Sequence, residues 1–242
     1  IGASEAIKKL ENFSNTGENF FLAVGFFRPH TPFVAPKKYF DLYSKDDIVI
    51  PESSPDYLKT IPIPAAKSVR SKKNQINLEE DLAKEIKQAY YATISFVDAQ
   101  VGRIINKLKQ TGLDKNTIVV FTSDHGYHMG EHGHWQKQTL FNNATKVPLI
   151  INVPGKDYIS KISNSPVELI DIFPTLMDLT NIISPSHVVG ESLKPIIENK
   201  SSDVRKSALT RWRNGYSIRT ERFRLTKWDI NGDFQYELYD HK

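Results

Sequence analysis

The chain has 242 residues, with 32 Lys and Arg against 28 Asp and Glu and a net charge of +4. With 39% hydrophobic residues it can bury a large core, as one large domain or one domain plus a smaller one. The absence of Cys excludes disulfides, thiolate metal sites and a cysteine nucleophile within these residues, and no apolar run approaches a membrane span.

Neither a secretory leader nor an initiator Met opens the chain, so the natural protein is expected to begin upstream of Ile1. The first predicted element is a helix over residues 4–13, with Ile7, Leu10 and Phe13 three apart and Ser4 as its cap. Residues 20–25 are a continuous apolar run and read as a buried, parallel strand. That strand exits through Arg28-Pro29-His30-Thr31-Pro32, where two prolines fix the backbone around His30. A His held rigidly at a strand end suits an anion contact or a proton donor; its plain alternative is a ring satisfying a turn carbonyl. Residues 34–76 carry many prolines and charges and read as a long excursion with little regular structure. Lys67, Arg70, Lys72 and Lys73 cluster there as a solvated face or, less simply, a polyanion contact.

Residues 77–112 hold the longest helical pattern, from Leu82 through Ile86, Tyr90, Ile94, Val97, Val101 and Ile104 to Leu108. Asn77 with Glu80 forms a capping-box pattern and Gly112 sits at the far cap, with room for a bend between. A short turn at 113–116 leads to a β-branched run at 118–121, predicted as a fully buried strand. The chain then turns polar within two residues, at Ser123, Asp124 and His125. Ligands of open α/β sheets bind outside the carboxyl ends of the strands, so Asp124 and His125 occupy a position suited to chemistry. Four of the chain's seven His lie between Asp124 and His134, interleaved with Gly126, Gly130 and Gly133 and followed by Lys137. Carboxylate and imidazole together suit a divalent metal, and Lys137 suits an anionic oxygen. A phosphate or sulfate ester would use both; a surface loop of solvated charges is the bland alternative.

Further along, residues 149–153 read as an apolar strand stopped by Pro154-Gly155, and 167–170 as another short strand. Asp171 is expected to cap a helix running to Leu179. From residue 207 the pattern changes to short strands at 208–212, 216–220, 223–228 and 236–239, with turns at 213–215 and 231–233. That is an antiparallel meander, and it places a domain boundary near residue 200. Helix followed by strand, with polar groups at strand ends, makes the preceding part α/β.

The chain carries, in order, the runs 20–33 (FFLAVGFFRPHTPF), 90–102 (YYATISFVDAQVG) and 122–133 (TSDHGYHMGEHG) with Trp135 and Lys137, then 147–150 (VPLI) and 171–176 (DIFPTL). In that order they resemble the sulfatases of the alkaline phosphatase superfamily, closest to the iduronate-2-sulfatase-like branch. The resemblance implies an alkaline-phosphatase-like fold: a mixed, mostly parallel sheet flanked by helices, with a small carboxyl-terminal antiparallel β subdomain at 201–242. It implies that Asp124 and His125 ligate a divalent cation, usually Ca2+, with Mg2+ or Mn2+ as alternatives. His30 and Lys137 match the pair that contacts the sulfate group and the bridging ester oxygen. Tyr127 and His134 lie in the same loop and are expected as substrate contacts. The implied partner is a sulfated small molecule or glycan, with neither nucleic acid nor membrane, and relatives are often periplasmic or secreted.

One departure stands out. The family's nucleophile is a formylglycine made from Cys or Ser in a Cys/Ser-x-Pro-x-Arg motif, and these residues contain no such motif. The motif and a first aspartate pair for the metal are expected in an amino-terminal portion outside this sequence, so the fragment alone is expected to be inactive. A phosphodiesterase or phosphonate monoester hydrolase of the same superfamily, and a non-catalytic fragment, are the alternatives.

Overall fold

A computed structural model describes residues 2–54, 56–69, 75, 78–155 and 162–242. In chain order its helices are α1 (Gly2–Thr16), α2 (Lys37–Phe40), α3 (Tyr57–Thr60), α4 (Ile63–Val69), α5 (Glu80–Gln110), α6 (Asn142–Thr145), α7 (Ile172–Leu179) and α8 (Lys194–Ile197). The strands are β1 (Val119–Thr122), β2 (Leu149–Asn152), β3 (Ala208–Trp212), β4 (Gly215–Arg219), β5 (Phe223–Ile230) and β6 (Asp233–Asp240). The chain divides into two compact units. The first comprises Ile1–Glu52, Gln75–Thr122 and Pro148–Asp157; the second comprises Ser53–Asn74, Ser123–Val147 and Tyr158–Lys242.

In the first unit, α5 is unbroken over 31 residues, about 46 Å at 1.5 Å per residue. Gly112 follows it in the left-handed region at φ 74°, a conformation that glycine adopts without steric cost. Asn77, the expected cap, lies outside the described residues, as do Arg70, Lys72 and Lys73 of the basic cluster. Helix α1 buries Ala3, Ala6 and Leu10, three and four apart, and packs on α5. Arg103 of α5 donates to Ser4 Oγ at 3.1 Å, and Lys107 pairs with Glu11 at 2.8 Å. The excursion after His30 is more ordered than its prolines suggest. Tyr43 hydroxyl meets Ser95 Oγ at 2.6 Å and Gln88 donates to Tyr43 O at 2.7 Å, tying it to α5.

Strands β1 and β2 pair antiparallel, Val119 opposite Asn152 and Thr122 opposite Leu149. β1 departs from the expectation of full burial: Phe121 is 38% exposed. Residues 20–25 depart further. They carry no strand pairing among the described residues, and their side chains alternate between half-buried and exposed, with Phe21 83% exposed. The apolar run is covered on one side only. Every strand pairing among the described residues is antiparallel.

In the second unit the predicted meander is a four-stranded sheet in the order β3-β4-β5-β6. Its turns use left-handed Arg213, Asn231 and Gly232. The inward face is unusually polar: Ser217, Arg224, Thr226 and Glu237 are buried beside Trp228. Each has a partner. Trp228 Nε1 donates to Glu237 at 2.6 Å, Tyr239 donates to the other carboxylate oxygen at 2.7 Å, and Thr226 meets Ser217 at 3.0 Å. Trp228 packs with Ala65 and Leu140, and a Cβ on Gly215 would lie 2.6 Å from the Trp228 ring. The outward face instead carries one register row of aliphatics across all four strands: Leu209, Ile218, Leu225 and Leu238. Each is exposed.

Residues 167–170 do not form the expected strand; residues 169–171 make a 3-10 turn. Asp171 also departs from its expected role, since its side chain does not cap α7. Instead Asp171 is fully buried and accepts from the backbone of Glu168 and of Glu191, each at 2.8 Å, and from Arg205. Arg205 also pairs with Glu168 at 2.9 Å. A buried carboxylate needs such donors, and the loop geometry supplies them from outside the helix.

Candidate active site

Ser123, Asp124 and His125 follow β1 directly in the chain, and the loop they open is fixed at Gly126. The Gly126 N–H donates to Ala144 O at 2.8 Å, and a Cβ there would stand 2.1 Å from Asn143 O. No other residue fits that approach. On this footing Asp124 and His125 face each other. Asp124 Oδ1 accepts the His125 backbone N–H at 3.1 Å, which leaves Oδ2 3.5 Å from His125 Nε2.

The His125 tautomer follows from its neighbour. Nδ1 lies 2.8 Å from Gly126 O, and a carbonyl only accepts, so Nδ1 carries the proton. In the neutral ring, the form that binds a metal, Nε2 then presents its lone pair beside Asp124 Oδ2. Two donor atoms 3.5 Å apart can both reach one cation at bond lengths of about 2.0–2.6 Å. A backbone carbonyl orienting the far ring nitrogen is also how proteins fix a ligating imidazole. The pair fits a divalent metal as two of its ligands. Among the described residues no group of three His, Cys, Asp or Glu gathers to hold a metal.

Lys137 sits at the far end of the same loop, which is a hairpin. His128 N donates to Gln136 O at 2.9 Å and Gly130 N to His134 O at 3.0 Å. The tip turns through left-handed Gly130, His132 and Gly133. Met129 N donates to the Glu131 carboxylate at 2.7 Å. Beyond the hairpin, Thr139 N donates to Lys137 O at 2.8 Å. The Lys137 side chain is half-buried, and among the described residues its ammonium has no hydrogen-bond or ion-pair partner.

Tyr127 and His134 are engaged within the second unit. The Tyr127 hydroxyl donates to Trp135 O at 2.9 Å, and His134 Nδ1 donates to Val69 O at 2.8 Å. His134 is 2% exposed and His128 is wholly buried. Burial holds the His134 imidazole down to about 4, below the ordinary value. Burial, then the nearby His134 and His132 rings, holds His128 down to about 3. Burial also lowers His132, with the Arg224 guanidinium adding to the effect. His134 is expected from the sequence as a substrate contact, whereas His128 and His132 carry no role there beyond membership of a polar loop. Neither does Thr139, whose hydroxyl lies 2.9 Å from His128 Nε2.

His30 belongs to the first unit and is exposed. Its Nδ1 donates to Thr31 O at 2.7 Å, which turns Nε2 outward as the free ring nitrogen. The Arg28–Pro29 and Thr31–Pro32 peptides flanking it are cis. Arg28 laces the turn, donating to Val34 O at 3.0 Å and to His30 O at 3.2 Å.

Known proteins resemble this chain over most of its length. Residues 4–182 match the family described as Sulfatase, and residues 130–242 match N-sulphoglucosamine sulphohydrolase, C-terminal. A sulfatase of Formosa agariphila is 36% identical over 239 residues, covering 96% of this chain and 46% of the relative. Human iduronate 2-sulfatase is 35% identical over 217 residues, covering 75% of this chain and 39% of the relative. Among solved structures, the phosphonate monoester hydrolase of Silicibacter pomeroyi superposes with a TM-score of 0.88 at 25% identity, covering 99% of this chain and 53% of the other. The chain thus spans about half or less of the length of these relatives. On the match over residues 4–182 and the shared alkaline-phosphatase-like fold, the chain belongs to the sulfatase family.

Proposed function

We propose that the complete protein is a sulfuric ester hydrolase acting on a sulfated carbohydrate, in the iduronate-2-sulfatase-like branch. Asp124 and His125 would contribute to its cation site, with His30 and Lys137 as its catalytic side chains. The observation that carries this reading is the pairing of Asp124 Oδ2 and His125 Nε2 at 3.5 Å in the loop that also bears the Lys137 ammonium, which has no partner among the described residues. A divalent cation, Ca2+ by family resemblance with Mg2+ or Mn2+ as alternatives, would supply charge neutralisation at the sulfate oxygens. Lys137 donates hydrogen bonds to an ester or non-bridging oxygen, favouring the charge that builds as the S–O bond lengthens. His30, with Nδ1–H committed to Thr31 O, would deliver the proton the leaving oxygen requires from Nε2–H of its doubly protonated ring, which becomes neutral. Tyr127 stays a candidate substrate contact; His134, buried with Nδ1 on Val69 O, holds the loop from within instead, and the formylglycine would come from a portion of the protein outside this sequence. We also set the boundary of a small β subdomain near residue 200, because all four strands of its sheet follow residue 207.

A phosphonate or phosphate diester hydrolase is the second reading, favoured by the 0.88 superposition and by the imidazole ligand, a softer donor than Ca2+ usually takes. Turnover of an aryl sulfate and of an aryl phosphate diester by the complete protein separates them. The sulfatase reading expects kcat/KM to favour the sulfate; a preference for the diester overturns it.

A further inference from the structure

We propose that His128 is a positioning residue for Lys137, acting through Thr139. The inference rests on the reading of Lys137 as the group that contacts the ester oxygens, and it deepens that reading.

Thr139 faces two ways. Its backbone N–H donates to the Lys137 carbonyl at 2.8 Å, closing the turn from which the lysine side chain departs. Its hydroxyl accepts the Phe141 N–H at 3.3 Å and lies 2.9 Å from His128 Nε2. With one lone pair used by Phe141, the hydroxyl keeps both its proton and a second lone pair for Nε2, so either tautomer of the neutral ring joins it. The ring thus clamps the residue that clamps Lys137.

His128 is itself held from both ends. Its N–H pairs with Gln136 O across the hairpin, the residue just before Lys137. Its ring sits edge-on to His134, with centroids 5.0 Å apart, and His134 is tied to Val69 of α4. The His132 ring lies 5.7 Å from the His128 ring and the Phe141 ring 6.2 Å, both edge-on. His132 stacks on Phe141 at 4.1 Å, and the buried Arg224 guanidinium lies 4.7 Å over that same Phe141 ring. A wholly buried side chain with these neighbours has little rotamer freedom, so the hairpin arm and the Thr139 turn move together or not at all.

The surroundings also fix the charge state the clamp tolerates. The groups facing His128 are His134 and His132 of the hairpin, the Glu131 backbone, and Arg224 of β5 with its partners Glu237 and Tyr239. Three imidazoles and a guanidinium share one buried space, so a proton on His128 adds like charge where no water can offset it. The clamp works with the ring neutral and fails in acid.

Near-isosteric variants of the complete enzyme test this. Thr139→Val removes the hydroxyl and keeps the volume; Thr139→Ser keeps the hydroxyl. His128→Gln offers an amide oxygen where Nε2 stood; His128→Leu offers nothing. The expectation is a kcat loss of about tenfold or more for Thr139→Val and His128→Leu, with KM moving less than kcat and the Thr139→Ser and His128→Gln variants close to wild type. The double variant His128→Leu/Thr139→Val should lose no more than the worse single one, because the two act as one unit. A reporter independent of turnover is the dimethyl resonance of reductively 13C-methylated Lys137. It should shift in Thr139→Val and return in Thr139→Ser. A kcat within twofold of wild type for Thr139→Val, or losses that multiply in the double variant, overturns the inference. If Lys137→Ala itself turns over like wild type, the reading of Lys137 has failed instead; the methyl resonance still reports whether His128 and Thr139 hold that side chain.

Discussion

The loop bearing His30 and the loop bearing Lys137 each carry one nitrogen without a partner among the described residues, and they are rigidified by opposite means. Around His30 the work is done at the surface, by two prolines and by Arg28 donating to Val34 O and His30 O. Around Lys137 it is done from within, by buried His128, His134 and Thr139 and by a glycine pressed against Asn143 O. Surface lacing is bathed in water, so each bond contributes little net stability and little depends on pH. Buried lacing is stronger and cooperative, and it ties the loop's shape to the neutral state of its rings. The two loops should therefore fail differently.

The largest effect expected is on chemistry. On the proposed role, Lys137→Ala in the complete protein should lower kcat by roughly a thousandfold, about 4 kcal/mol, while the thermal midpoint holds. Equal losses of rate and stability would make Lys137 part of the inner lacing and blur the comparison. Next comes Gly126→Ala. A methyl 2.1 Å from a backbone oxygen cannot be relieved by a side-chain swing, so urea unfolding should show a loss of about 3 kcal/mol. A wild-type midpoint would mean that the footing of the Asp124 loop is soft.

Acid gives the third and sharpest contrast. His128 is held down to about 3 when folded, so the unfolded chain takes up the proton first. Its contribution is full above the unfolded value of about 6.5 and drains as pH falls. Between pH 7 and pH 5, wild type should lose about 2 kcal/mol more than His128→Gln, read from urea midpoints at each pH. Parallel lines for the two proteins would show that the ring is not the acid-sensitive element. The smallest effect belongs to the outer lacing: Arg28→Ala should cost less than about 1 kcal/mol at any pH in that range. A larger cost, measured by the same titration, would erase the distinction between the loops.

Much of this was legible in the residues because local chemistry dictates it. Gly112 ends α5 in the left-handed conformation that its position after a long apolar stripe predicts. Arg213-Asn214-Gly215 and Asn231-Gly232-Asp233 turn where their types favour turns, and the four strands follow. What the residues could not reveal depends on partners distant in sequence. The run at 20–25 looks like a strand with two covered faces, but alternation of exposure appears only once its surroundings are placed. Asp171 has the sequence signature of a cap; besides the nearby Glu168 N–H, its donors are Glu191 and Arg205, 20 and 34 positions away. His128 and Thr139 are 11 apart in a loop without periodicity, and no pattern links them.

The aliphatic row on the outer side of the carboxyl-terminal sheet has a practical consequence. Leu209, Ile218, Leu225 and Leu238 form an oily band four strands wide on a sheet whose other face buries Trp228 and Thr226. Fluorescent dyes that light up on contact with apolar surface will adhere to such a band in the native chain. Dye binding by these 242 residues is thus no sign of a loosened, partly melted state; near-ultraviolet circular dichroism from Trp228, clasped by Glu237, is the reporter that separates the two.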